Sequence, residues 1–383
     1  MLIPRRIKPE IDKALACKGP DRRIVIIYGA RQVGKTTLIK EVIRSYKGKE
    51  VYYNCDYPDV QETFSYGKSG NFAFLVQDVD LLVLDEAQRI KNIGMALKIL
   101  HDEFPDLHII ATGSSSFDLS NEVNEPLTGR KIVFKLFPLS FAEVTEGMDI
   151  IEKRRILPKM LRFGSYPDVF LAGEEKARER LNELSGSYLF KDVLNFQDLR
   201  KPELLNSLLK LLAFQIGHEV SFTELSNNLG IDQTVIQRYL GLLEETFIVF
   251  RLPALKRNLR NEVGKTRKVY FWDLGIRNIL IQNTNSLDFR NDIGQLWENF
   301  CICERLKLYN NQRLSPPNTY FWRTYNQKEI DLVEEKEGKL RAFEFKWADK
   351  KKIKMPSDFD KAYPNTGLEI ISPGNFIDFI SEG

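Results

Sequence analysis

A short run of residues near the N-terminus has the types and spacing that bind phosphate. Gly29 is followed by four residues and then by Gly34, Lys35 and Thr36, which matches the pattern GxxxxGK[ST]. In this pattern backbone N–H groups surround the phosphates, the lysine contacts the β- and γ-phosphates, and the threonine hydroxyl binds magnesium. The alternative is an ordinary glycine-containing turn. The predicted nucleotide contacts are Gly29, Ala30, Arg31, Gln32, Val33, Gly34, Lys35, Thr36 and Thr37.

A pair of acidic residues supplies the second part of such a site. Asp85 and Glu86 end the run LLVLDE, whose aliphatic residues predict a buried strand. Asp85 would hold the magnesium through water, and Glu86 would deprotonate the attacking water. Taken alone, the two acids also fit the capping of a following helix. Because P-loop kinases must exclude a base that activates water, Glu86 favours hydrolysis over phosphoryl transfer.

Two further side chains are candidates for catalysis. Thr112 ends the predicted strand of LHIIATGSSS, where its hydroxyl would contact the γ-phosphate or the lytic water. Arg130 directly precedes another predicted strand and would stabilise transition-state charge, in its own chain or in a neighbouring subunit. The competing interpretations are a loop-forming Gly-Ser cluster for the first and a surface arginine at a turn for the second.

Buried parallel strands must position these groups. Residues 24 to 28 are Ile-Val-Ile-Ile-Tyr, a β-branched run without polar alternation, and a helical pattern follows the loop. A second Gly-Lys-Thr, at 264 to 266, has Leu259 where the first glycine should be and no preceding apolar strand. We therefore place a single phosphate loop, at 29 to 37.

The C-terminal third carries a second set of charged candidates. Residues 320 to 347 predict two strands joined at the turn KEGK, which puts Asp331 opposite Glu344 and places Glu344 and Lys346 on one face. Glu298, from a predicted helix at 294 to 306, would join them. This set resembles the PD-(D/E)xK nucleases, in which acids bind magnesium and a lysine orients water. The alternative is a solvent-facing, salt-bridged hairpin, worth about 0 to 1 kcal/mol per exposed pair.

The middle of the chain predicts helices. Residues 151 to 202 are rich in helix formers and indicate a lid or linker. Residues 203 to 258 indicate three short helices and a strand, as in a winged helix. A recognition helix would present Gln233, Gln237, Arg238 and Tyr239 to DNA; a packing module without DNA is the alternative. The basic stretch 255 to 268 would be the wing, a linker or a solvated loop.

Composition bounds the remaining possibilities. The length of 383 residues favours two or three domains, and 43% hydrophobic residues indicate a folded protein. A net charge of +3 does not by itself indicate a nucleic-acid binder. The N-terminal residues lack a signal-peptide core and no window is apolar enough for a membrane span, so we expect a cytoplasmic protein without a membrane partner. The cysteines, at 17, 55, 301 and 303, suggest reduced thiols.

Several motifs together resemble a known family. GARQVGKTT, LDEAQ, ATGSSS, LTGR and PLSF occur in this order by residue 141, followed by FGSYPDVFL and YLFKDVLNF. They resemble archaeal and bacterial AAA-type ATPases in which a nucleotide module precedes a C-terminal domain of unknown function. The resemblance implies a five-stranded core with the Thr112 strand between the phosphate-loop and carboxylate strands, Thr112 as "sensor 1", and a restriction-endonuclease-like C-terminal fold.

The expected architecture is α/β with four segments: an AAA-type domain at 1–150, a helical lid at 151–202, a winged-helix-like domain at 203–258 and a nuclease-like domain at 259–383. The leading hypothesis is an ATPase that hydrolyses Mg-ATP as a switch, with ATP and Mg²⁺ as cofactors. A metal-dependent DNA nuclease gated by ATP is the second hypothesis. The third is a nucleotide-switched regulator of a protein partner. DNA, a protein partner and oligomerisation all remain open.

Overall fold

The computed structural model describes residues 2–65, 70–114, 126–188, 202–255, 267–324, 326–348 and 354–381. The chain divides into two compact units, residues 1–137 with 245–247, and residues 138–244 with 248–383. The segments expected to be the lid and the nuclease-like domain fall in the second unit, together with nearly all of the winged-helix-like segment. Most of the basic stretch 255–268, the second Gly-Lys-Thr and most of the motif YLFKDVLNF lie outside the described residues.

The first unit is built on one parallel sheet. Its order is β2-β3-β4-β1-β5, and every neighbouring pair is parallel. All residues of β1, β3 and β4 are buried, as expected for strands covered on both faces. The strand that carries Thr112 lies between the phosphate-loop strand and the carboxylate strand, so this prediction is confirmed. The strands are β1 (Ile24–Tyr28), β2 (Glu50–Asn54), β3 (Leu81–Asp85), β4 (His108–Gly113) and β5 (Lys131–Lys135).

Helices follow the strands of this sheet. The helix after the phosphate loop buries Leu38, Ile39 and Val42, whose spacing defines one apolar face. The loop before it approaches the sheet closely, because a Cβ at Gly29 would collide with the backbone carbonyl oxygen of Leu136. Only glycine fits there. The helices are α1 (Lys8–Ala16), α2 (Lys35–Ser45), α3 (Pro58–Phe64), α4 (Gly70–Leu75) and α5 (Ile93–Glu103).

The first part of the second unit is helical and ends in a hairpin. Three helices, α10 to α12, precede strand β6 (Val249–Pro253), which pairs antiparallel with β7 (Arg267–Phe271). This order agrees with the three helices and a strand that the sequence predicts. The helices are α6 (Phe141–Val144), α7 (Ile150–Phe163), α8 (Pro167–Leu171), α9 (Glu174–Glu183), α10 (Pro202–Phe214), α11 (Phe222–Leu229) and α12 (Gln233–Glu245).

The second unit also contains a separate sheet of order β11-β10-β9-β8, antiparallel except for the parallel pair β10 and β11. Glu337 (φ 54°) and Gly338 (φ 77°) form the two-residue turn between β9 and β10, which is the turn predicted at KEGK. Its elements are α13 (Leu274–Leu280), α14 (Ile293–Asn311), β8 (Asn318–Arg323), β9 (Glu329–Lys336), β10 (Lys339–Phe345), α15 (Ser357–Ala362), β11 (Gly367–Ile371) and α16 (Phe376–Phe379).

Buried aromatic residues form much of the core beneath this sheet. Trp297 and Phe300 of α14 stack at 5.8 Å between ring centroids, and Phe376 meets Trp297 edge-on. In the ranges given above, none of the helices has both the length and the apolar composition that crossing a bilayer requires.

Candidate nucleotide site and acidic cluster

The phosphate loop leaves the carboxyl end of β1 and folds around its own lysine. Gln32 (φ 60°) and Gly34 (φ 97°) adopt left-handed backbone conformations, which curl the loop before α2 begins. Lys35 is 5% exposed, and its Nζ donates to the carbonyl oxygens of Gly29 (2.9 Å) and Ala30 (3.2 Å). Arg5 Nη1 donates to the Val33 carbonyl at 3.0 Å and thereby fixes the tip of the loop.

Asp85 is the meeting point of three hydroxyl groups. Thr36 Oγ1 and Tyr52 OH donate to Asp85 Oδ2 at 2.7 and 2.8 Å, and Thr112 Oγ1 donates to Oδ1 at 2.5 Å. Burial, together with the hydrogen bond to Asp85, raises the pKa of Tyr52, so this phenol stays protonated as a donor. Thr36 and Asp85 therefore offer adjacent hard oxygen atoms of the kind that hold Mg²⁺.

Glu86 lies beside the loop on a left-handed residue (φ 58°) directly after β3. Its Oε1 is 3.7 Å from Lys35 Nζ, and its side chain is 24% exposed. Gln88 Nε2 donates to the other carboxylate oxygen at 2.6 Å and to Ser114 Oγ at 3.2 Å. Sequence reasoning missed Gln88, whose only signal is a polar side chain two residues after Glu86.

Thr112 supports the two acids from the neighbouring strand. It is fully buried, and besides donating to Asp85 its hydroxyl accepts from the Glu86 backbone N–H at 3.0 Å. We expected this hydroxyl to contact phosphate or lytic water. In the structure the only hydroxyl proton is donated to Asp85, so the contact with phosphate stays a prediction that requires this bond to break.

Arg130 lies at the amino end of the parallel strands, whereas the phosphate loop lies at their carboxyl end. Its carbonyl accepts from the Ile24 N–H at 2.7 Å at the amino end of β1, and its Nε donates to Asp102 Oδ1 at 2.8 Å. A strand of five residues spans about 16 Å, which separates Arg130 from the phosphate loop of its own chain. The prediction that Arg130 acts within its own chain is wrong. Residues that precede a parallel strand and residues that follow one lie at opposite ends of the sheet. Action in a neighbouring subunit stays a prediction.

The second group of charges lies on the small sheet and on α14. Pairing of Leu332 with Phe343 puts Asp331 opposite Glu344 in the same register, as the sequence predicts. Asp331 Oδ2 accepts from the Phe345 N–H at 2.8 Å. Lys346 Nζ donates to Glu344 Oε1 at 2.7 Å. These contacts place the predicted acids and lysine at one end of the β9–β10 hairpin.

Glu298, Glu329 and Asp331 converge, and we call these three residues the acidic cluster. One carboxylate oxygen from each lies within 4.8 Å of the others. A buried lysine, Lys268, pairs with both Glu298 and Glu329. Sequence reasoning missed Glu329, although it lies two residues before Asp331 on the same strand face. It also missed Lys268, which ends the basic stretch 255–268 interpreted as a wing, a linker or a solvated loop.

Burial shifts the protonation of these groups. Burial raises the pKa of Asp331 to about 7, and Glu298 contributes to the rise. Burial likewise raises the pKa of Glu298. It also raises the pKa of Glu344, and the charge of Asp331 raises that pKa further. For Lys346, burial alone would lower the pKa, but Asp331 and Glu344 raise it overall. Burial and mutual repulsion therefore favour the protonated forms of these carboxyl groups.

The expected recognition helix, α12, exposes only part of the predicted set. Gln233, Gln237 and Arg238 are exposed, and Gln233 Nε2 donates to Thr223 Oγ1 at 3.1 Å. Tyr239 is 6% exposed and belongs to the core. The prediction that Tyr239 contacts DNA is wrong, because this position faces the packed side of the helix. The other three contacts stay predictions.

Comparison with known families divides the chain into three matched regions. Residues 21–145 match a family model described as an AAA domain. Residues 154–287 and 293–379 match two models described as domains of unknown function, DUF8612 and DUF4143. The boundaries of the first match enclose the phosphate loop, Asp85, Glu86 and Thr112.

Proteins of similar sequence or structure match most of the length of this chain. An uncharacterized protein from Mycobacterium tuberculosis is 27% identical over 333 residues, which is 84% of this chain and 70% of the relative. An uncharacterized protein from Methanocaldococcus jannaschii is 25% identical over 320 residues, 77% of this chain and 69% of the relative. The solved structure of a Walker-type ATPase from Pyrococcus abyssi aligns with a TM-score of 0.50 at 16% identity, covering 73% of this chain and 96% of that one. The AAA-domain match, this likeness in fold and the order of the parallel sheet together support a P-loop fold of the AAA-type ATPase class for the N-terminal part of the chain.

Proposed function

We propose that the chain binds Mg-ATP at the loop 29–37 and hydrolyses it, with the bound nucleotide acting as a switch. The observation that carries this proposal is the convergence of Lys35, Thr36, Asp85 and Glu86 at the carboxyl edge of the parallel sheet. The side chains that would bind phosphate, hold the metal ion and activate water therefore lie close together, as phosphoryl transfer to water requires.

Each residue has a distinct role in this proposal. Lys35 exchanges the loop carbonyls for the β- and γ-phosphates, and Thr36 and Asp85 hold the magnesium ion. The ion would neutralise charge that develops on the phosphate oxygens. Glu86 accepts a proton from the attacking water, and Gln88 orients the carboxylate for that step by its 2.6 Å hydrogen bond.

An ATPase assay on purified protein tests the proposal. The intact chain should release phosphate from ATP in the presence of Mg²⁺, Lys35→Ala should lose tight ATP binding, and Glu86→Gln should bind ATP without turning it over. Lys40→Ala is a matched control, since Lys40 is an exposed lysine on the same helix. Turnover that survives both Lys35→Ala and Glu86→Gln would exclude this site as the ATPase centre.

DNA is a proposed effector of the same activity. The exposed side chains of Gln233, Gln237 and Arg238 on α12 support this part of the proposal, because amide and guanidinium groups can contact bases and phosphates. ATPase rates should rise when DNA is added and should not rise in a Gln237→Ala/Arg238→Ala variant. A rate that is unaffected by DNA would favour a protein partner for the second unit.

A metal-dependent nuclease is the second candidate function. It is favoured by the convergence of Glu298 with Asp331, and of Asp331 with Glu344 and Lys346, at the end of the β9–β10 hairpin. Incubation of the intact chain with DNA and Mg²⁺ or Mn²⁺ should then give cleavage that disappears in Asp331→Ala and in Lys346→Ala. If intact protein leaves double-stranded and single-stranded DNA uncut, the second unit is a binding module instead.

A further inference from the structure

Two members of the acidic cluster already pair with a positive charge that belongs to the chain. Lys268 lies at the start of β7, and its side chain is 0% exposed. Its Nζ donates to Glu298 Oε1 at 2.8 Å and forms an ion pair with Glu329 Oε1. The Tyr270 hydroxyl donates to the same Glu298 oxygen at 2.5 Å. The carboxylates that could bind a metal are therefore oriented by a lysine and a tyrosine.

We propose that Lys268 is the resident cation of the acidic cluster and that a divalent metal can enter only after its ammonium group has left. One carboxylate oxygen from each of Glu298, Glu329 and Asp331 lies within 4.8 Å of the others, which is close enough for a single cation to contact all three. An ammonium group and a divalent ion a few ångströms apart in a buried site repel each other strongly. The two cations therefore compete for the same acids.

Lys268 differs from the lysine expected in a hydrolytic centre. Lys346 pairs with Glu344, and its side chain is 31% exposed, so water can reach it. Lys268 is enclosed, with its Nζ 5.5 Å from the centre of the Phe321 ring. Its Nζ forms ion pairs with both Glu298 and Glu329, and these two carboxylates stabilise the charged ammonium group. A charged, enclosed lysine fills a cation position and cannot present water to a substrate.

The functional consequence concerns the second unit alone. With Lys268 in place the unit is a metal-free module that does not cut nucleic acid, and a nuclease would have to release this lysine before taking up a metal ion. This inference opposes the second candidate function, so one cleavage assay on intact protein separates the two. It is independent of whether the phosphate loop hydrolyses ATP.

Binding of Mn²⁺ to nucleotide-free, full-length protein tests the inference by electron paramagnetic resonance. Wild-type protein should show no Mn²⁺ binding that depends on Asp331, as judged against Asp331→Asn. Lys268→Ala should gain one site that binds Mn²⁺ at least ten-fold more tightly than wild type, and Glu298→Gln added to Lys268→Ala should remove it. Lys268→Arg keeps a cation and should bind no Mn²⁺ there. Asp331-dependent binding to wild type as tight as in Lys268→Ala would overturn the inference.

Stability supplies a second readout, because Lys268→Ala leaves the carboxylates of Glu298 and Glu329 without their paired cation. This variant should melt at a lower temperature than wild type, and Mn²⁺ should raise its melting temperature while leaving that of wild type unchanged. If Lys268→Ala does not fold at all, Mn²⁺ binding to wild type that is lost in Asp331→Asn would still overturn the inference. Cleavage of DNA by wild type at the same Mn²⁺ concentration, lost in Asp331→Asn, would also overturn the inference.

Discussion

The Thr112 hydroxyl donates a 2.5 Å hydrogen bond to Asp85 and accepts one from the backbone N–H of Glu86 at 3.0 Å. One side chain on β4 thereby fixes both acids at the end of β3, on the neighbouring strand. The proposed metal ligand and the proposed base share a single support, so a defect in that support should affect magnesium binding and turnover together.

Replacing Thr112 with valine should impair both functions. Valine has nearly the same shape but cannot donate to Asp85 or accept from Glu86, and leaving these groups unpaired costs about 1–3 kcal/mol. We expect kcat to fall roughly five- to a hundred-fold and the Mg²⁺ concentration for half-maximal activity to rise. Steady-state ATPase kinetics over a Mg²⁺ titration measure both effects. Thr112→Ser keeps the hydroxyl and should stay near wild type; equal losses in both variants would assign the effect to packing.

Replacing Gln88 with alanine should affect turnover but not nucleotide affinity. The amide of Gln88 holds one oxygen of Glu86 and lies outside the phosphate loop. Loss of a hydrogen bond to a charged group costs about 1.5–3 kcal/mol, which corresponds to a decrease in kcat of roughly ten- to a hundred-fold. Fluorescent nucleotide titration and phosphate release separate the two quantities. Arg89→Ala is the control, since the exposed Arg89 pairs with Asp56 instead. A weaker nucleotide affinity in Gln88→Ala would contradict the assigned role.

Replacing Gly29 with alanine should destabilise the first unit. The new Cβ would collide with the Leu136 carbonyl oxygen, and overpacking of this kind costs about 1–3 kcal/mol. Urea unfolding monitored by circular dichroism measures the loss. Gly173→Ala is the control, because a Cβ at that glycine meets nothing within 4 Å and its φ of −66° suits alanine. Unchanged unfolding of Gly29→Ala would show that the loop can move away from Leu136.

Asp292 should make the second unit less stable in acid. Burial alone would raise the pKa of Asp292, but hydrogen bonds from Arg290 and Arg277 lower it to about 2. Because the folded-state pKa lies below the unfolded value of 3.8, this stabilisation is complete above about pH 4 and is lost as the pH falls towards 2.

The variant Asp292→Asn isolates this contribution. At pH 7 it should lower the free energy of unfolding by ~1–2 kcal/mol, a figure reduced for solvent screening. The difference from wild type should shrink between pH 4 and pH 2, as measured by urea unfolding at several pH values. Asp288→Asn, at an exposed position nearby, should differ from wild type at none of them. If the difference between Asp292→Asn and wild type does not depend on pH, the substitution destabilises the fold for steric reasons and not by removing a charge.

Local patterns allowed much of the fold to be predicted from the sequence. The phosphate loop, the buried strands and the register of the β9–β10 hairpin each depend on residues close together in the chain. A turn at Glu337 and Gly338 is sufficient to place Asp331 opposite Glu344. The position of the Thr112 strand between the phosphate-loop and carboxylate strands came instead from the family resemblance, since residue periodicity alone does not decide which strands are neighbours.

The sequence did not predict contacts that depend on packing between distant segments. Lys268 meets Glu298 and Glu329 across 30 and 61 positions, and composition made it look like part of a basic surface loop. The neighbouring helices determine which face of α12 is buried, so the helix sequence alone did not show that Tyr239 belongs to the core. The position of Arg130 could have been predicted from the sequence. All strands of a parallel sheet begin at one end of the sheet, and Arg130 precedes its strand, whereas Asp85 and Thr112 lie at the carboxyl ends of theirs.

The ammonium group of Lys35 has consequences for the kinetics of nucleotide arrival. It is already satisfied by two carbonyl oxygens of its own loop, so an incoming triphosphate must replace existing partners and gains only the difference between the two sets of bonds. Association should accordingly be slower than free diffusion, and the empty loop should remain closed and ordered between one turnover and the next.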